Sequence, residues 1–427
     1  MADSRVHNGK APARGAAADP VPGAPGSPGP ADPGPPGGVF ADLAGQDEVV
    51  AELRQAAGAA AAVLRGERAT GMTHAWLFTG PPGSGRSVAA RAFAAALLCP
   101  YGGCGRCPSC HQVRAGTHAD LLLVRPDGLS YGVKQTRSLV LRAAGAPAGG
   151  RWQVVVFEDA DRATEQAANA LLKAIEEPAP RTVWLLCAPS AEELVTTIRS
   201  RCRLVTLRTP SSAAVAEVLT ADGVDPGKAL AAARAAQGHI GRARRLATDP
   251  EAARRRDEVL AVPARLTGIG PAFAAAAALV KAAETEAAAI TEELDTPERE
   301  ALRRAFGEGS TGKGVAKAIR GSAGAMKELE DRQKSRATRL KRDALDRALL
   351  DLAAFYRDVL AVQVGAGVEL ASSGHEHDVR KLAGASRPET TVRRIEAIMA
   401  CRERLELSVA PLLAVEEMTL ALAAPAS

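Results

Sequence analysis

Four cysteines, Cys99, Cys104, Cys107 and Cys110, stand in the run CPYGGCGRCPSC with four, two and two residues between them. Thiols at this spacing can converge on one tetrahedral zinc, and Gly102, Gly103 and Gly105 let the backbone turn tightly around it. A pair of disulfides is the alternative. Only seven cysteines occur in 427 residues and four are clustered, a distribution that suits a metal site in a reducing compartment better than a secreted disulfide scaffold. Four protein ligands leave no open position, so the expected role is structural: the metal stiffens a protrusion that cannot form a core of its own. His111, next to Cys110, offers a substitute ligand should Cys99 point away. Cys187, Cys202 and Cys401 read as buried small apolar residues.

Just upstream, GPPGSGRS at Gly80 to Ser87 fits the phosphate-loop pattern G-x-x-x-x-G-K-[ST] except that Arg86 replaces the lysine. Gly80, Gly83 and Gly85 shape the loop. Its amides and the start of the following helix can cradle an anion, and Ser87 can approach magnesium. A lysine reaches the β- and γ-phosphates as a compact point charge, for which a planar guanidinium is no neutral replacement. The run VVVFEDADRA then sets acids at the end of an apolar stretch, with Glu158 in the metal-ligand position and Asp159 in the water-polarising position. The usual order is Asp then Glu. Each carboxylate is thus misplaced by a methylene, and a displacement near 1 Å can cost on the order of a hundredfold in rate. Weak or absent ATP and magnesium binding, without turnover, is the expectation; the plainer reading is that the acids cap the next helix.

The elements that must hold these groups are legible as short apolar runs. Ala75 to Thr79 leads into the Gly-rich loop and an Ala-rich helix, Ser87 to Leu98. Gln153 to Phe157 and Thr182 to Cys187 have the length and β-branched content of buried parallel strands, and Asp120 to Val124 is a third candidate. Helical segments lie between them, which implies a doubly wound α/β domain. Ahead of the first strand, Asp47 or Gln46 can cap a helix with Val49, Val50 and Leu53 on its apolar face. Beyond Pro210 the strand signal stops: a small helical bundle with breaks at Gly223 and Gly238 follows, then a long helical remainder with clear periodicity over Asp343 to Val364 and Thr391 to Leu422.

With VFADLAGQDEVV at its start, the phosphate loop, the cysteine quartet, EDADRATEQAANALLKAIEEP at Glu158 to Pro178, and TIRSRC at Thr197 to Cys202, the chain resembles the clamp-loader branch of the AAA+ ATPases. The resemblance implies an AAA+ α/β core of the phosphate-loop type over residues 39–209, carrying a zinc knuckle at 99–110. It also implies a helical lid over 210–257 and an all-α collar over 258–427. In that family gamma/tau subunits hydrolyse ATP and a companion subunit does not, in agreement with Arg86 and the acid order. Arg201 of SRC corresponds to a finger that crosses to the γ-phosphate held by the neighbouring subunit, where a guanidinium stabilises transition-state charge. Arg199 and Arg203 are expected to make interface or solvent contacts. Arg242, in QGHIGRARRL, corresponds to a cis sensor of the γ-phosphate and is either vestigial or structural if nothing is hydrolysed. Pro189-Ser190 stands where the family has a Thr-Asn pair, a further departure from catalysis. The implied partners are gamma/tau and delta subunits, with the sliding clamp and primed DNA reached through the complex, itself part of a DNA polymerase.

Composition sets the remaining bounds. Residues 1–38, rich in Pro, Gly and Ala, read as a disordered tail rather than a signal peptide or membrane anchor, and a cytoplasmic location is expected. The net charge of +5 is mild, but Lys313 to Arg342 carries ten cations against Glu328, Glu330 and Asp331, an excess of seven. The region, about 307–342, reads as a mobile loop or a solvated helix. Aromatics, at 3%, are too few for a single-strand stacking platform. The leading reading is a non-hydrolysing loader subunit that supplies a finger in trans. The alternatives are an active gamma/tau-type ATPase that tolerates Arg86, and a zinc-containing DNA-binding protein that grips duplex with its basic segment.

Overall fold

A computed structural model describes residues 37–126, 128–305, 315–407 and 409–424. Most of the expected N-terminal tail and residues 306–314 of the basic segment lie outside the described residues.

Helix α1 (Asp47–Leu64) precedes β1 (Ala75–Thr79), after which come α2 (Arg86–Leu98) and α3 (Pro108–Ala115). Next are β2 (Leu121–Val124), α4 (Val133–Ala143), β3 (Gln153–Phe157), α5 (Glu165–Glu176), β4 (Thr182–Ala188), α6 (Thr196–Arg199) and β5 (Arg203–Thr206). The strands form one parallel sheet in the order β2-β3-β4-β1-β5. Because β1 and β3 flank β4 and run the same way, the phosphate-loop turn and the acids after β3 emerge at one edge, on either side of the end of β4. That edge is where parallel α/β sheets bind ligands.

Alternation along the strands feeds two cores. Trp76, Phe78, Val154, Val156 and Leu185 face α1 and α2, with Leu53 and Phe93 between the layers. Leu77, Val155, Phe157, Trp184 and Leu186 face α4 and α5, where Leu139, Leu171 and Ile175 close the other side. All five residues of β1 and of β3 are buried, as strands covered on both faces must be. Short β5 has only Val205 buried, so it carries little apolar signal in sequence. It pairs in parallel with β1 from Trp76–Arg203 to Thr79–Thr206, and just beyond it the Gln46 amide donates to the Arg208 carbonyl at 2.5 Å and accepts from the Arg208 amide. Gln46 therefore precedes α1 as its N-terminal boundary without capping it.

The next three helices, α7 (Ser212–Ala221), α8 (Pro226–Ala236) and α9 (Ile240–Thr248), share a small core of Val215, Leu219, Ala233 and Ala243. Ser211 and Asp225 cap the first two with side-chain oxygens, and Gly223 and Gly238 take positive φ at the breaks. The remaining helices are α10 (Pro250–Leu260), α11 (Val262–Arg265), α12 (Ile269–Ala305), α13 (Val315–Gln363), α14 (Glu376–Ala385), α15 (Pro388–Glu406) and α16 (Pro411–Ala423). They pack around Leu345, Leu352, Phe355, Tyr356, Ile398 and Met418. Among the described residues, no helix is long and apolar enough to cross a membrane.

Of the two readings of the basic segment, mobile loop or solvated helix, the chain from residue 315 onward is helical. Leu329 and Gln333 are buried, Arg336 bridges Asp295 and Glu298 of α12, and Lys341 pairs with Glu284 at 2.5 Å. The acids lie some forty to sixty residues earlier in the chain, so the local excess of positive charge is offset by a neighbouring helix. Arg339 donates to the Pro126 carbonyl, which ties α13 back to the loop after β2.

Candidate nucleotide site and metal centre

The two motifs occupy opposite ends of α2. At its N-terminus, Gly80, Gly83 and Gly85 all take positive φ, and Gly85 offers no side-chain cap, so the first amides of the helix are left for an anion. The backbone of a phosphate loop is therefore retained. Its side chains are arranged differently. Arg86 folds back and donates Nη1 to the Gly80 carbonyl at 2.9 Å, so the guanidinium braces its own loop. The Pro189 carbonyl accepts from the Gly80 amide at 3.0 Å, so the residue at the expected Thr-Asn position is a backbone brace as well. Ser84 Oγ is buried without a hydrogen-bond partner beneath the loop.

Glu158 is 7% exposed, and its carboxylate is gripped by Arg91 Nη2 and Arg125 Nε, each at 2.8 Å. Its backbone carbonyl accepts from the Tyr131 hydroxyl at 2.5 Å. Glu158 thus lies in an internal network at the expected metal-ligand position. Neither arginine was singled out in the sequence; Arg91 projects from the second turn of α2 and Arg125 follows β2, and only the sheet order brings both to the end of β3. Asp159 adopts φ 49, the left-handed region, at the turn into the short helix 160–162. Aspartate is among the few non-glycine residues that reach this region readily. Asp159 holds the N-terminal boundary of that turn with no side-chain cap, which leaves the plain capping reading without support for this residue.

The lid sits directly on the loop: a Cβ at Gly83 would come within 2.9 Å of His239 Cβ. His239 precedes α9 and caps it, accepting the Arg242 amide on Nδ1 at 3.2 Å. Burial, reinforced by the Arg242 charge, lowers its pKa and favours the neutral ring that this cap requires. The Arg242 side chain leaves the phosphate loop and pairs with Asp351 of α13, a carboxylate that also receives Arg256 Nε at 3.0 Å. Of its two expected roles, cis sensor or structural residue, the geometry is that of a structural clamp between lid and collar.

Arg201 lies at the domain edge with its side chain 39% exposed. Nη1 donates to the Thr197 carbonyl at 2.8 Å, and Nη2 pairs with Glu176 at 2.6 Å. Arg203 is otherwise engaged: it stacks over Trp76 at 4.9 Å and pairs with Glu52 at 2.7 Å, while Arg199 reaches Glu192 only at 3.9 Å.

At the C-terminal end of α2, the four cysteines bring their Sγ atoms within 4.8 Å of one another. Cys99 Sγ lies 3.7 Å from Cys104 Sγ and 3.6 Å from Cys107 Sγ. Thiolates about 2.3 Å from a tetrahedral zinc are separated by roughly 3.8 Å, so the donor set fits that ion. Cys99 and Cys110 are buried, whereas Cys104 and Cys107 are half-buried. A hydrogen bond from Cys110 holds the pKa of the Cys99 thiol well below its ordinary value. Gly102, Gly103 and Gly105 all take positive φ; at Gly103 a Cβ would meet Val39 Cγ2 at 2.7 Å, and its carbonyl accepts from the Val39 amide at 3.0 Å. His111 is exposed on α3 and outside the cluster. Cys187 and Cys401 are buried as expected, while Cys202 is only half-buried.

A family described as DNA polymerase III, delta subunit, matches residues 59–211. The delta-prime subunit of DNA polymerase III from Pseudomonas aeruginosa is 40% identical over 153 residues, covering 34% of this chain and 46% of that protein. The Bacillus subtilis delta-prime subunit is 34% identical over 158 residues, 36% of this chain and 48% of that protein. The gamma/tau subunit from Mycobacterium tuberculosis is 35% identical over 167 residues, 38% of this chain and 27% of that protein. The chain thus spans about half the length of the delta-prime relatives it matches. A solved RuvB variant from Thermotoga maritima aligns with a TM-score of 0.34 at 19% identity, over 51% of this chain and 64% of that one, too distant to add to the argument. The matched stretch contains both ends of α2, the acids after β3 and the SRC turn, and across it the chain is similar to delta-prime and gamma/tau subunits of DNA polymerase III.

Proposed function

We propose that this chain is a non-hydrolysing subunit of a replicative clamp loader, which supplies Arg201 in trans to the ATP site of a neighbouring gamma/tau subunit. The observation that carries this reading is the state of Glu158: the carboxylate at the metal-ligand position is neutralised by Arg91 and Arg125. The bracing of Arg86 on Gly80 and the diversion of Arg242 to Asp351 support the same reading. Arg201, by contrast, is half-exposed at an edge, held by one surface carboxylate whose pairing contributes at most about 1 kcal/mol and is readily exchanged for a phosphate.

In this reading the four cysteines hold one structural zinc, which fixes the knuckle against residues 38–40. The partners are gamma/tau and delta subunits in the cytoplasm, with the clamp and primed DNA engaged through the assembly. The test is magnesium-dependent ATP turnover by the isolated chain, expected at background, beside turnover by a loader assembled with wild-type or Arg201→Ala subunit, expected to differ. A gamma/tau-type ATPase is the second reading, favoured by the 35% identity to the gamma/tau subunit over much the same length. Steady turnover by the isolated chain would select it.

A further inference from the structure

A cavity of about 410 Å³ lies where α9 of the lid, the α10–α11 turn, α12 and α13 meet. Its size is in the range of small-ligand sites and exceeds the voids that close-packed interiors retain. The floor is apolar, built from Leu246, Val259, Val262, Ala275, Ala278 and Leu279. Alanines on the facing side of α12 leave the volume unfilled, and the apolar floor gives water few partners.

The wall carries six arginines and only three carboxylates. Arg242 and Arg256 share Asp351. Arg245 and Arg347 converge on Glu286 at 2.8 and 2.9 Å, with Arg255 at 3.8 Å, and Asp249 at the start of α10 also reaches Arg245 at 3.5 Å and Arg255 at 3.7 Å. The third carboxylate, Glu258, is drawn to Arg254 outside the cavity at 2.5 Å. Arg265, at the exposed end of α11, adds a further cation. The remaining excess of arginine over carboxylate beside an apolar floor focuses an attractive potential on anions. No aromatic side chain lines the space, which disfavours a nucleotide base.

We infer that this cavity binds an amphiphilic organic anion: an apolar body of fused-ring or short-chain size on the α12 floor, with one carboxylate, sulfonate or phosphate among the arginines. Its walls belong to both lid and collar and include the Arg242–Asp351 clamp, so occupancy bears on how the lid is held. The inference is independent of whether the chain hydrolyses ATP.

The test uses the full-length protein and 8-anilinonaphthalene-1-sulfonate, read by fluorescence, with N-phenyl-1-naphthylamine as the same ring system without the anion. Saturable binding of one sulfonate probe per chain, displaced by decanoate, is expected. Ala278 faces open space, so Ala278→Leu fills the cavity without disturbing the core and should weaken the probe at least tenfold at unchanged circular dichroism. Ala282→Leu serves the same purpose if that variant does not fold. Arg265→Gln should weaken the sulfonate probe about fivefold and leave the neutral probe unchanged. Probe binding that survives both leucine variants, or an Arg265→Gln effect equal for the two probes, would overturn the inference.

Discussion

Helix α2 carries a ligand motif at each end, and the two have diverged. The C-terminal end keeps every donor its motif calls for, with four sulfurs within 4.8 Å of one another and three glycines bending the chain to allow it. The N-terminal end keeps the glycine backbone, but its charged side chains have turned inward: Arg86 to Gly80, Glu158 to Arg91 and Arg125. The helix dipole suits both ends, an anion at the amides and a cation near the carbonyls. The comparison teaches that a motif's backbone outlasts its chemistry. A loop shape is supported by the whole fold, whereas ligand contact requires free side chains, and here Glu158 is held in internal ion pairs and Arg86 on a loop carbonyl.

On the proposed reading, the largest effect is expected at Arg201. In an assembled loader, Arg201→Ala should lower turnover at the adjoining gamma/tau site by about a thousandfold, with a partial loss in total activity because the other sites keep their fingers. Clamp- and primer-stimulated ATP turnover measures this, and an unchanged rate would reduce Arg201 to a surface arginine paired with Glu176.

At the cysteine end, Cys107→Ser should take bound zinc from one per chain to less than a tenth of that, by metal analysis of reduced protein. The knuckle should become protease-sensitive while the sheet core stays folded, because the metal stabilises chiefly its own protrusion. Zinc retained in full would break the comparison from this side.

Arg86→Lys should leave ATP turnover of the isolated chain at background, since Glu158 would still be held by two arginines and Asp159 would still be a methylene short. Turnover gained by this one change would show that the loop was limited by its cation alone.

The smallest expected effect is at the lid. His239 has a folded-state pKa below its unfolded value, so the unfolded chain binds the extra proton first and stability falls as pH drops below about 6.5. His239→Ala should cost about 1 kcal/mol, typical of a lost N-cap, and should flatten that pH dependence. Thermal unfolding between pH 7.5 and 5.5 measures both, and a His239→Ala protein with the same pH slope as wild type would assign the slope elsewhere.

Sequence by itself determined what depends on neighbouring residues along the chain. Two strands, Ala75–Thr79 and Gln153–Phe157, match their apolar runs end for end, because parallel strands buried on both faces must be continuously apolar. Cysteine spacing carried the knuckle, and the glycine pattern carried the loop. Tertiary structure alone decided which charges are free. Arg91 and Arg125 reach Glu158 only because β2, β3 and α2 meet at one edge, and Arg242 reaches Asp351 across 109 positions. The basic segment looked unbalanced because the acids of α12 lie distant in sequence and one helix away in space. β5 is hard to read for the same reason: its short, mostly exposed run says little until the fold pairs it with β1, more than 120 residues earlier. Local pattern fixes backbone form, while the electrostatic state of a side chain depends on whatever the fold sets within a few ångströms of it.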